Sequence, residues 1–196
     1  MTLKWGSTTC TAIYWGSTKC TTVYWGSTIV WPEGYLGYLT SAWITRSSSS
    51  SWYQTNATSY GTSGTVPYAT IDTANRKITA GGSSSYNMYA SLITSQKVSI
   101  SGSISVTVTT NASANNAQPR FIYGTSAPST ISGGSNSDTL DGTNGTTGYG
   151  GSYAIRALTS DTAKSFSLSG SYYVGVMLRL LTSKTDGYYV TITALG

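Results

Sequence analysis

The first 31 residues repeat one four-residue motif, which limits the structures that this segment can form. Trp-Gly-Ser-Thr begins at residues 5, 15 and 25, a period of ten. The runs between the copies are rich in Thr, Val, Tyr and Trp, which favour strands. Glycine at the first of two residues between strands is typical of a type II′ hairpin turn. The repeat therefore predicts an antiparallel meander with turns at 6–7, 16–17 and 26–27.

The turn at 16–17 also sets a register, because it pairs Trp15 with Thr18. In this register Cys10 and Cys20 point to opposite faces of the sheet, so we expect no disulfide between them. The chain has no third Cys and no His with which they could form a zinc site. The cysteines are therefore interpreted as small apolar residues.

A ten-residue β-solenoid coil is the alternative interpretation of the repeat. It would stack Trp on Trp and Cys on Cys at the strand spacing of about 4.8 Å. Fewer than three coils are unstable alone, so we favour the meander. One face of that meander mixes Cys10, Ala12 and Val23 with Lys19 and Thr21. A small sheet with mixed faces is marginal by itself, so we expect residues 1–31 to dock onto a partner surface.

The composition of the rest of the chain favours strands and turns over helices. Ser and Thr number 33 each among 196 residues, and charged residues make up only 9%. Residues 32–65 are rich in Gly, Ser and Tyr and are predicted to be a connector. Its apolar part at 33–44 is expected to pack against another surface rather than to form a free linker. Strand patterns then recur at 66–72, 76–79, 86–94, 97–109, 120–124, 153–158, 164–169, 172–181 and 188–195.

These patterns predict an all-β protein in which residues 66–196 form an antiparallel β-sandwich of jelly-roll type. Within 97–109 the apolar residues keep period two, and Gly102 interrupts the run as a bulge or bend. The longest interruption, residues 133–151, is expected to be a surface loop. We expect residues 66–196 to fold without the N-terminal segment, because they carry their own core pattern.

The side chains that most enzymes need are scarce. Without His there is no Ser–His or Cys–His nucleophile pair, and Glu33 is the single Glu. The Asp residues stand mostly in turn contexts such as Asp-Gly. Asp138, Asp141 and Asn144 are a weak candidate for a Ca²⁺ site, with Asx turns as the alternative. We expect no enzyme, no cofactor and no obligatory metal.

Aromatic residues are the most abundant side chains in this sequence that could form a binding surface. Trp5, Trp15, Trp25 and the out-of-phase Trp31 are predicted to be interface or attachment residues, since the mixed-faced meander cannot bury them alone. Burial in an internal core and contact with a ligand such as a sugar ring remain alternatives.

Charge and hydropathy argue against two classes of partner. The net charge is +5, but the basic residues are scattered, so we expect no nucleic-acid partner. No apolar run of about 20 residues indicates a membrane span. The N-terminus has no basic-then-apolar layout, so secretion by a cleaved signal is not expected, and the glycosylation patterns at Asn56, Asn111 and Asn144 are attributed to chance.

The phrase "TTVYWGSTIVWP" at 21–32 resembles a segment, roughly "VYYGSTKVWP", found near the termini of many tailed-bacteriophage structural proteins. The Ser/Thr/Gly-rich, His-free remainder is similar to phage fibre and head-decoration proteins. The resemblance implies a virion component assembled in the host cytoplasm. Its N-terminus would fasten it to a capsid or tail protein, and a β-sandwich would face outward and contact host glycans. It also implies a homo-oligomer, with a trimer favoured.

This chain departs from the phage segment by carrying three copies of the motif and a Cys within two of them. The departure leaves open whether every copy docks. The rival class is a carbohydrate-binding module or adhesin of a secreted bacterial protein. A signal peptide would favour that class, and the N-terminal layout does not resemble one.

Overall fold

The computed structural model describes residues 4–5, 8–9, 14–15, 17–19, 23–25, 28–31, 34–48, 51–61, 67–81, 88–112, 117–134, 140, 153–180 and 187–196. In this part of the chain the N-terminal strands are β1 (Lys4–Trp5), β2 (Thr8–Thr9), β3 (Tyr14–Trp15), β4 (Thr18–Lys19), β5 (Val23–Trp25) and β6 (Thr28–Trp31). A 3₁₀ helix at Leu36–Tyr38 precedes the longer strands.

The longer strands follow in chain order. They are β7 (Leu39–Ser48), β8 (Ser51–Asn56), β9 (Ser59–Tyr60), β10 (Tyr68–Asp72), β11 (Lys77–Gly81), β12 (Met88–Thr94), β13 (Val98–Ile100), β14 (Ser103–Thr110), β15 (Ala117–Gly124), β16 (Ile131–Gly134), β17 (Tyr153–Ala157), β18 (Lys164–Ser167), β19 (Gly170–Leu180) and β20 (Tyr188–Leu195).

These strands form two sheets that pack face to face. The six-stranded sheet has the order β18-β14-β20-β11-β10-β9, and the eight-stranded sheet has the order β16-β8-β7-β12-β19-β15-β17, with β13 also paired to β19. The strand pairs are antiparallel. The prediction of an all-β antiparallel sandwich is confirmed, and its jelly-roll connectivity stays a prediction.

The main core lies between the two sheets and follows from period-two sequence patterns. Alternate residues of each strand face inward, as β-strand geometry requires. The six-stranded sheet contributes Ile104, Val106 and Val108 from β14, and the eight-stranded sheet contributes Val174 and Val176 from β19, all without solvent exposure. The strands predicted from residue 66 onward are present because these patterns are strong.

The eight-stranded sheet is also buried on its outer face near its centre, which the alternating patterns did not indicate. All seven residues of β12 are buried. A second apolar cluster lies on this face and consists of Trp43, Tyr89, Ile93, Ile122, Leu140 and Met177. Leu140 belongs to the segment 133–151, which was expected on the surface. Its 3% exposure corrects that expectation at this residue.

The predicted connector at 32–65 supplies strands to both sheets. β7 pairs with β8 on one side and β12 on the other, and β9 extends the six-stranded sheet. The serine run that suggested a linker lies at a hairpin, where Ser48 pairs with Ser51. These pairings correct the boundary at residue 66, because the sandwich already includes the strands from Leu39 onward. The expected packing of 33–44 is found, with Leu36, Leu39 and Ile44 buried.

The chain crosses between the sheets several times, and two of these crossings are short corners. β13 pairs with β19 in the eight-stranded sheet, whereas β14 pairs with β20 in the six-stranded sheet. Gly102 lies between β13 and β14 with φ +87°, which confirms the predicted bend. At the second corner the Ala57 N–H donates to the Ala42 carbonyl, and the Ile71 N–H donates to the Thr58 carbonyl. Residues 57–58 thus connect β8 to β9 across the sandwich.

The sandwich begins beside its own C-terminal strand. The Tyr35 N–H donates to the Leu195 carbonyl at 2.6 Å, and Gly196 and Ser105 exchange two backbone hydrogen bonds. Gly34 has φ +72°, and a Cβ there would overlap the Leu195 carbonyl oxygen. Glycine is therefore required at this junction, which fixes where the N-terminal segment leaves the sandwich.

We expect Gly34→Ala to lower the free energy of unfolding by more than Gly102→Ala. Both residues have positive φ, so each substitution costs roughly 1–3 kcal/mol in backbone strain. Only Gly34 adds a clash, because no atom lies within 4 Å of a Cβ at Gly102. Urea denaturation of the two variants measures the difference, and equal losses would contradict the junction described here.

Candidate functional site

Each copy of the N-terminal repeat forms a hairpin, and the three hairpins share one register beside the turn. Trp5 pairs with Thr8, Trp15 with Thr18 and Trp25 with Thr28. The pairing of Trp15 with Thr18 is the register that the Gly-Ser turn predicts. The three tryptophans therefore occupy equivalent backbone positions, each at the end of the first strand of its pair.

The third hairpin is longer than the other two and contains an irregularity. Tyr24 pairs with Ile29, but Val23 pairs with Trp31, so the register shifts by one residue on β6. Trp31 thus ends a strand rather than preceding a turn. The described residues of each copy pair within that copy. The rest of the predicted meander, including Cys10 and Cys20, lies outside the described residues.

The candidate metal ligands Asp138, Asp141 and Asn144 also lie outside the described residues. Within the ranges that the structure does describe, no three His, Cys, Asp or Glu residues are grouped as metal ligands would be.

Of the two described aspartates, Asp72 has the turn role expected from its sequence context, whereas Asp161 bonds to a distant strand. Asp72 accepts hydrogen bonds from the Asn75 backbone and side chain, and these bonds hold the pKa of Asp72 below its ordinary value. Asp161 accepts from Thr109 and Ser160, and these two hydrogen bonds lower its pKa likewise. Both carboxylates are thereby engaged by hydrogen bonds within the chain.

A groove opens at the margin of the sandwich, where the inner faces of β7 and β8 meet β9. We name it the β8–β9 groove. Its volume is about 280 Å³, and it is lined by Ile44, Arg46, Tyr53, Gln54, Thr55, Tyr60, Thr130, Ile131 and Ser132. The lining combines a guanidinium, two phenol rings and several hydroxyl groups.

Arg46 is the central cation of the groove, and strand register explains its position. β7 and β8 pair Arg46 directly with Tyr53, so the two side chains share one face. The guanidinium carbon lies 4.5 Å from the centroid of the Tyr53 ring and 5.2 Å from that of the Tyr60 ring. Because Tyr60 belongs to the other sheet, Arg46 bridges the two sheets by cation–π contacts.

Gln54 holds the segment that contains β16, the strand that pairs with β8 at the groove. Its side-chain oxygen accepts from the Thr45 hydroxyl at 2.9 Å and from the Leu140 N–H at 2.6 Å. Its amide nitrogen donates to the Ser129 carbonyl at 2.8 Å. The side chain is 2% exposed, so these are buried hydrogen bonds. Gln54 therefore fixes residues on both sides of β16, whose Ile131 and Ser132 line the groove.

The groove was missed at the sequence level because its strands fall in the predicted connector. A hairpin interpretation of the serine run would have found part of it, since the register that pairs Ser48 with Ser51 also pairs Arg46 with Tyr53. The contribution of Tyr60 could not be found in this way, because it depends on the crossing at 57–58.

Comparison with known proteins does not identify a relative. No family model and no curated protein matches the chain. Among the residues described, no helix has the length and apolar character needed to span a bilayer.

We expect Gln54→Leu to destabilise the protein and to expose the Leu140 amide. Leucine has a similar size but leaves buried polar groups without their partner, each costing roughly 1–3 kcal/mol. Urea denaturation measures the loss of stability, and hydrogen exchange measures protection of the Leu140 N–H. Thr55→Leu is the control, because Thr55 neighbours Gln54 but is exposed. Unchanged protection of Leu140 in Gln54→Leu would show that Gln54 does not hold this segment.

Proposed function

We propose that the chain is a non-enzymatic structural protein of a tailed-bacteriophage particle. Residues 1–31 attach it to a capsid or tail protein, and the β-sandwich faces outward as a decoration or fibre domain that contacts host-surface glycans. The observation that carries this proposal is the repeated hairpin, together with the resemblance of residues 21–32 to segments of phage structural proteins.

The hairpins support attachment on physical grounds. In two of them the described residues pair two to a strand, and isolated two-stranded sheets are marginal in water. A partner surface would supply burial that a two-stranded sheet does not provide by itself. Equivalent tryptophans at equal spacing suit a partner with repeated sites, or several copies of this chain that meet at an axis.

The sandwich supports the outward role in this proposal. Among the described residues, its main core lies between two large sheets and draws its members from Leu36 onward. The proposed assembly is a homotrimer, whose mass in solution would be three times the 20.6 kDa of one chain. The proposal of no catalysis comes from the composition, which includes no His and a single Glu.

We expect the triple variant Trp5→Ala, Trp15→Ala, Trp25→Ala to lose attachment while the sandwich stays folded. Truncating one interface tryptophan costs roughly 2–4 kcal/mol when it is a hot spot, so losing three should abolish binding. The measurement is co-sedimentation with particles that lack the protein, accompanied by thermal unfolding of the purified variant.

The matched control replaces Thr8, Thr18 and Thr28 with alanine, because these residues pair with the three tryptophans across the hairpins. The control should attach at the wild-type level. Incorporation of the tryptophan variant at wild-type occupancy would overturn the proposed attachment role of the repeat.

A further inference from the structure

The cation of the β8–β9 groove is Arg46, and no carboxylate among the described residues forms an ion pair with it. Both described aspartates accept hydrogen bonds from other residues elsewhere in the fold, and Arg46 contacts the two tyrosine rings. The side chain is half-buried, and the rings hold the guanidinium at the groove. A guanidinium kept in place in this way is preorganised for an anion, since its planar fork donates two parallel hydrogen bonds to a carboxylate.

The surroundings of Arg46 indicate what the rest of the ligand would contain. Hydroxyl groups line one side of the groove, with Thr55 on β8, Thr130 just before β16 and Ser132 on β16, the strand that pairs with β8. All three residues are exposed. Hydroxyls both donate and accept hydrogen bonds, which suits a ligand that is itself rich in hydroxyl groups. Tyr53 and Tyr60 add apolar ring surface with a polar end.

The size of the groove limits the ligand further. A volume of about 280 Å³ is near the lower end of the range for small-molecule sites, roughly 300–1,000 Å³. This suits a single sugar ring with its substituents rather than a folded partner. The groove is open to solvent at the margin of the sandwich, so the ring can belong to a longer chain of sugars.

We propose that the β8–β9 groove binds a carboxylate-bearing sugar residue. The carboxylate pairs with Arg46, and the ring hydroxyls bond to Thr55, Thr130 and Ser132. The inference deepens the part of the proposed function that gives the sandwich contact with glycans, and it does not depend on how the N-terminus attaches. Sialic acids and uronic acids share this chemistry, and the experiment separates them.

The test uses the full chain, with backbone amide shifts in NMR titrations and calorimetry as readouts. The probes are the methyl glycosides of sialic acid, glucuronic acid and glucose. We expect one or both acidic glycosides to bind and to shift the amides of Thr130 and Ser132. Methyl glucoside, which matches methyl glucuronide apart from the carboxylate, should bind at least about tenfold more weakly, as expected for a lost charged hydrogen bond.

Two variants assign the binding to Arg46. Arg46→Gln should weaken binding of the acidic glycosides by about tenfold or more and leave binding of the glucoside unchanged. Thr40→Gln is the control, since Thr40 is exposed on the same strand and does not line this groove. Thermal unfolding shows whether each variant is folded. If Arg46→Gln does not fold, Ser132→Ala on the neighbouring strand β16 should weaken binding of the acidic glycosides instead.

Three results would overturn the proposal. They are equal binding of acidic and neutral glycosides, absence of shifts at Thr130 and Ser132, and equally strong shifts from inorganic phosphate alone, which would make the groove a general anion site. The triple tryptophan variant should bind the acidic glycoside as the wild type does. A failure of attachment and a failure of sugar binding are therefore distinguishable.

Discussion

The pairing of β7 between β8 and β12 is the interaction on which the rest of the structure depends. β7 places Ala42 and Ile44 in the core between the sheets and Trp43 in the cluster on the outer face. Without it, β12 would become an edge strand, although all seven residues of β12 are buried. Loss of β7 would thus expose apolar surface on both faces of the sheet and a row of unpaired backbone groups.

The same strand connects the fold to the proposed ligand site. Arg46 lies two residues after Ile44, so it faces the same side of the sheet but reaches the margin where the sandwich opens. A residue in this position is held by the sheet register and still meets solvent. The N-terminal hairpins and the β8–β9 groove involve different residues, so the proposed attachment to a particle and the proposed recognition of a sugar can vary independently.

Part of this structure could be predicted from the sequence, and the physical reasons differ between elements. The period-two run at 97–109 predicted β13, β14 and the bend at Gly102, because burial of one face dictates alternation. β7 to β9 were missed because β7 is buried on both faces near Trp43 and Ile44, which removes the alternation. The serine-rich hairpin that follows also resembles a linker. The groove was missed with them, since it needs Tyr60 from the other sheet.

The measurement that tests this account most directly compares two shortened chains by urea denaturation. Residues 34–196 retain β7 and the junction between Tyr35 and Leu195, whereas residues 66–196 lack β7, β8 and β9. The account predicts that the longer chain unfolds cooperatively with a stability close to that of the full chain. In contrast to the expectation drawn from the sequence that residues 66–196 fold alone, it predicts that the shorter chain shows no cooperative transition, because that chain lacks the strands that pair with β12 and β10. A cooperative transition of similar stability in residues 66–196 would contradict the central role of β7.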